Sequence, residues 1–169
     1  MTAQRVAIRW VLVVVAAILQ VVVVNKWHLP LGHPDLLLLV VIAFALASGS
    51  QRGALLGFWA GLFADVIPPA GHIAGRTAFA YTVVGFLAGL LEDPEENSVF
   101  ATIVVVLGGS AASVLVYAGL GGLLGDARVT AGATTHSLLA TVVYDVVLAP
   151  FVIPVVANFA RRFEPVGVR

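Results

Sequence analysis

Apolar residues fall into six stretches, at 8–24, 34–48, 53–67, 77–91, 99–124 and 136–160, with polar or helix-breaking residues between them. Each reads as a membrane helix. The second and third segments have about 15 residues, about 22 Å of helix against a hydrocarbon core of about 30 Å. They are expected to be short spans, the alternative being a partly re-entrant pair held inside a protein bundle. In the third segment Gly53, Gly57, Gly61 and Asp65 recur at every fourth position, while Leu55, Phe58, Leu62 and Phe63 cover the other faces. Positions four apart stack along one side of a helix, so the glycines form a nearly flat ridge that ends in a carboxylate. In lipid both features call for a protein partner, the glycines for close backbone approach and the acid for a polar contact.

The connections mark the ends of these segments. Arg5 and Arg9 precede the first apolar run as in a secretory signal, but Asn25, Lys26, Trp27 and His28 follow it without a small-residue cleavage site, so the segment is expected to stay. Its Gln20 is a lone polar group, read as a contact to a neighbouring helix. Pro34 is expected at the first helical position of the second segment, with Asp35 favourably placed in the helix dipole. Gly49 to Arg52 would turn the chain into the glycine ridge. Pro68, Pro69, Gly71 and Gly75 break it after Asp65, and the fourth segment brings a second small-residue pair, Gly85 and Gly89. Residues 92–98 form a dense acidic connection. The fifth segment carries Gly108, Gly109, Ser110, Ala111 and Ala112 at its centre, residues 125–135 read as a loop, and Pro150 and Pro154 lie inside the sixth.

With 169 residues, 60% hydrophobic and 11% charged, the chain is expected to form a single integral membrane domain, 1–169. The absence of cysteine excludes disulfides, thiolate catalysis and cysteine metal sites. Six spans put both termini on one side, together with Arg5, Arg9, Arg52, Arg161, Arg162 and Arg169, against Lys26, Arg76 and Arg128 on the other. The excess places both termini and the acidic connection in the cytoplasm. No basic patch points to nucleic acid, and the connections are too short to house a soluble catalytic domain.

Asp65 and Asp145 are the residues that most need a role, because a carboxylate at mid-span costs about 2.5 to 3.5 kcal/mol to insert. Asp65 reads as a helix-end acid satisfied by loop amides or by Arg76. Asp145 lies before two prolines that free the carbonyls of Val146 and Pro150, an arrangement that either bends the helix or builds a transporter-type site. An aspartyl intramembrane protease is disfavoured, since Tyr144 and Asp145 come last and the Leu123-Leu-Gly-Asp126 stretch lacks the required first glycine. His28, His33, His72 and His136 have no metal-site spacing. No catalytic residue, metal or cofactor is expected.

Gln20, the Pro34–Leu46 segment, the Arg52–Asp65 ridge and the Gly-Phe-Leu-Ala-Gly-Leu ending of the fourth segment together resemble the MreD family of rod shape-determining membrane proteins. The break at Pro68-Pro69-Ala70-Gly71 departs from the Gly and Ser rich turn more usual there. The resemblance implies a six-helix inner-membrane protein without catalytic activity, acting in side-wall peptidoglycan synthesis with the single-span protein MreC and other elongation-complex membrane proteins. It also implies an all-α bundle like the S components of energy-coupling-factor transporters, which leaves a vitamin-binding or small-molecule-binding subunit as the alternative, with a cavity near Tyr144 and Asp145. The Ala-x-x-x-Ala docking pattern of those components is missing from the first segment, where Gln20 follows Ala16, and occurs only as Ala43 and Ala47 in the second. On the scaffold reading, Gly53, Gly57, Gly61, Gly85 and Gly89 pack the bundle and receive a partner helix, while Asp65 and Asp145 fix polar contacts at its ends.

Overall fold

The computed structural model describes Val15, Ile18, Gln20 and residues 33–66, 75–91 and 99–162. Its elements are all helices: α1 Leu36–Ser48, α2 Ser50–Val66, α3 Arg76–Gly89, α4 Val99–Leu123 and α5 Ala131–Arg162. Most of the expected first segment, and the connections after Asp65 and Leu91, lie outside the described residues. Val15, Ile18 and Gln20 are helical. Five helices are therefore described where six were expected.

Four helix starts differ from the expectation, each for a local reason. Asp35, and not Pro34, governs the start of α1: its Oδ1 accepts the Leu38 amide at 3.1 Å, the bond of an N-cap. The turn expected over Gly49 to Arg52 shrinks to Gly49 alone, because φ of 85° lets the chain reverse at one residue and start α2 at Ser50. Gly75, with φ of 97°, starts α3 one residue earlier than expected. The loop assigned to 125–135 ends at Thr130, whose Oγ1 accepts the Ala133 amide and starts α5 five residues before His136.

Helix α1 is the axis of the bundle. All of it except Leu36 and Ala47 is buried, against α2, α3 and α5 and more lightly α4. A helix apolar on every face can be stable only when surrounded, and 13 residues, about 20 Å, suffice because protein encloses both ends. Helices α4 and α5, with 25 and 32 residues, are long and apolar enough to cross a membrane. Their exposed faces carry Val104, Leu107, Leu115, Val143, Val147, Phe151 and Val155. α5 runs unbroken through Pro150 and Pro154.

The glycine ridge of α2 lies against α3. A Cβ at Gly53 would strike the Gly85 carbonyl and come within 2.5 Å of the Ala45 Cβ, one at Gly57 would strike the Tyr81 carbonyl, and one at Gly61 would lie 2.5 Å from the Thr77 oxygen. A Cβ at Gly85 would in turn strike the Gly53 carbonyl, and one at Gly89 would lie 2.5 Å from the backbone of Gly49 and Ser50. Any side chain there would have to displace backbone. That face is occupied by the chain's own helix and is not open to a second protein.

Candidate functional site

The start of α1 lies at the level of mid-α5, half-buried at Asp35 and Leu36, and the free amides of its first turn have no acceptors within the helix itself. Side chains from distant segments serve them instead. The Asp35 amide donates to Asp145 Oδ1 at 2.7 Å, the Leu36 amide to Gln20 Oε1 at 2.9 Å, and the Leu38 amide to Asp35 itself. Gln20 Nε2 donates to the Pro34 carbonyl at 2.9 Å, so one amide side chain clamps both sides of the helix start. The remaining oxygens are also engaged. Ser110 Oγ donates to Asp145 Oδ2 at 2.7 Å, and the Tyr81 hydroxyl donates to Asp35 Oδ2 at 2.5 Å. The N-terminal segment, α1, α3, α4 and α5 thus meet in one polar cluster, and Asp145 and Ser110 have no exposed surface.

Asp65 performs the same service for α3. Its Oδ2 accepts the Gly75 amide at 2.7 Å and the Ala78 amide at 3.3 Å, and its Oδ1 accepts the Thr77 amide at 3.3 Å. Negative charge at a helix N-terminus is favoured by the dipole as well as by the bonds. Of the two partners expected for Asp65, the loop amides are therefore used and Arg76 is not. Arg76, only 2% exposed, turns the other way: Nη1 donates to Asp126 Oδ2 at 2.7 Å, Nη2 donates to the Tyr117 carbonyl at 3.0 Å, and the guanidinium lies 3.9 Å from the Tyr117 ring centre. Asp126 also accepts the Arg128 amide and Nε, each at 3.1 Å. The Arg128 amide, then the Arg128 and Arg76 guanidinium groups, hold the Asp126 carboxyl down at about 2, against an ordinary 3.8.

Above the Asp35 cluster lies a cavity of about 410 Å³, where α2 ends and α1, α3 and α5 begin. Asp35, Tyr81 and Gln20 line it, with hydroxyls from Thr77, Ser113 and Thr141. Neither Tyr144 nor Asp145 does, so this is not the cavity that the alternative, small-molecule-binding reading would place beside them. Both oxygens of Asp145 are occupied by Asp35 and Ser110, and they are not coupled to carbonyls freed by Pro150 and Pro154.

Of the residues singled out in the sequence, the structure brings Asp145 and Gln20 together at the start of α1 and puts Asp65 and the glycines at the α2 and α3 contact. Asp35 as a cluster member, Tyr81, Ser110, Ser113 and the buried Arg76 were not foreseen. Ser110, Ser113 and Tyr117 fall at helical spacing on one side of an otherwise apolar α4, a polar stripe that would have flagged the inward face.

Neither a curated protein nor a solved structure matches the chain. The likeness to transporter S components therefore finds no support among solved folds. A family model described as rod shape-determining protein MreD matches residues 3–163. That match spans nearly the whole length, and the apolar α4 and α5 fit the membrane location of such a protein. The chain belongs to the MreD family of rod shape-determining proteins.

Proposed function

We propose that the chain is a non-enzymatic scaffold of the cell-elongation machinery, one integral domain crossing the bacterial cytoplasmic membrane six times with both termini in the cytoplasm, and that it binds MreC. Family membership carries the cell-shape role. The helical Val15, Ile18 and Gln20 support a sixth helix in the N-terminal segment. The excess of Arg5, Arg9, Arg52, Arg161, Arg162 and Arg169 over Lys26, Arg76 and Arg128 supports the orientation.

The partner helix is assigned to the outward face of α4. Ala101, Gly108, Leu115 and Gly122 recur there every seven residues, all exposed, and a Cβ at Gly108, Gly119 or Gly122 would meet nothing within 4 Å. A seven-residue repeat keeps one side of a helix facing a neighbour, and small side chains let that neighbour come close. The test is co-purification of MreC from membranes with Gly108→Ile and Gly119→Ile. Loss of MreC with unchanged melting of the purified variants supports the assignment, and retained MreC removes this face from the interface.

A further inference from the structure

The polar cavity above Asp35 is unexplained by a scaffold role. Its about 410 Å³ is the size of a small-molecule site. Ser113 lines it, is 6% exposed, and its hydroxyl has no hydrogen-bond partner among the described residues. The hydroxyls of Thr77 and Thr141, also in the wall, make no hydrogen bond among the described residues either. On the same two helices, outside the cavity, Thr82 donates to the Ala78 carbonyl at 2.6 Å and Thr135 to the Ala131 carbonyl at 2.8 Å. Folding back on the helix is the ordinary way for such a hydroxyl to be satisfied in an apolar setting. The wall hydroxyls are therefore available to something in the cavity.

The sign of charge is set by the floor. Asp35 faces the cavity, and Asp145 is bonded to its amide directly behind. No Lys or Arg is among the described lining residues, the one lining histidine, His33, is exposed, and Arg76 is committed to Asp126. An anion would find no donors at the α1 terminus, because the amides of Asp35, Leu36 and Leu38 are already taken. A positive group is attracted by the Asp35 carboxylate at low local dielectric. A bare metal ion would leave most of the volume and the wall hydroxyls unused.

We infer that this cavity binds a small organic ammonium compound bearing hydroxyl or ether oxygens, with the amine on Asp35 and the oxygens on Ser113, Thr77 and Thr141. Such an ammonium group is carried by free amines and amino sugars, and also by the ethanolamine headgroup of a lipid.

The experiment uses the full chain in nanodiscs of phosphatidylglycerol alone, titrated calorimetrically with glucosamine and with ethanolamine, with glucose as the neutral control. A parallel set of discs containing phosphatidylethanolamine is compared for thermal stability. Saturable binding of an amine but not of glucose identifies a soluble ligand. A rise in melting temperature confined to the phosphatidylethanolamine discs, with no binding of either amine, identifies the headgroup. In both cases Asp35→Asn, which keeps a good N-cap, and Ser113→Ala should each weaken the effect about tenfold or more. The inference is overturned if neither amine nor headgroup has an effect, if glucose binds equally, or if Asp35→Asn responds as the parent does.

Discussion

Asp145 on α5 accepts the backbone amide of Asp35, 110 residues earlier in the chain, at 2.7 Å. A side chain of one apolar helix thereby completes the first turn of another. The same relation holds between Asp65 on α2 and the start of α3. Acids in apolar segments suggest ion transport or catalysis when read alone, but here both stabilise helix starts.

Removing the Asp145 acceptor should therefore be costly. Asp145→Leu leaves the Asp35 amide and the Ser110 hydroxyl buried without partners, at about 1 to 3 kcal/mol each. Asp145→Asn retains one acceptor and should lose less, and Ser110→Ala should cost about 1 kcal/mol. Thermal melting in detergent, ordered parent, Ser110→Ala, Asp145→Asn, Asp145→Leu, checks this. Equal melting of the parent and Asp145→Leu would contradict the capping role.

Asp65→Ala should destabilise by about 1 to 2 kcal/mol, the usual cost of a lost cap, and Asp65→Asn by a fraction of that. Hydrogen exchange at the Gly75, Thr77 and Ala78 amides should rise more than exchange in α5. Uniform change across the chain would mean that Asp65 does not act locally.

Glycines of one chain should divide into two classes. Gly57→Ala drives a methyl into the Tyr81 carbonyl and should cost about 1 to 3 kcal/mol or prevent folding. Gly119→Ala meets open space and should be neutral or gain up to about 1 kcal/mol from helix propensity. Folded yield and melting temperature of the two variants distinguish them, and similar values would undo the packing assigned to the ridge.

Acid should loosen the α4 to α5 connection through Asp126. Because its carboxyl is held at about 2, below the ordinary 3.8, the folded state favours the ionised form. The contribution is present above about pH 4 and is lost as pH falls through about 2. The melting difference between the parent and Asp126→Asn should be constant at neutral pH and shrink over that acidic window. A difference independent of pH would show that the charge is not involved.

Some of this architecture was legible in the residues. Apolar runs placed the helices to within a few positions, and the spacing of Gly53, Gly57 and Gly61 announced a close helix contact, because periodicity and side-chain size are properties of the chain itself. Helix starts were harder. Asp35 and Thr130 reveal themselves as caps only through the amides they accept. The sequence also marked Asp65 and Asp145 as acids needing partners, since a carboxylate within an apolar run is costly to leave unpaired whatever the fold. Their partners were decided by tertiary structure. A backbone amide carries no signature in a sequence, so the Asp35 amide could not be read in advance for Asp145, and for Asp65 the loop amides stood only as one of two candidates beside Arg76. Likewise, whether a small-residue face meets the chain's own helix or remains open depends on how the helices are turned about α1, and that orientation assigns the α2 ridge to α3 while leaving Gly108 and Gly119 exposed.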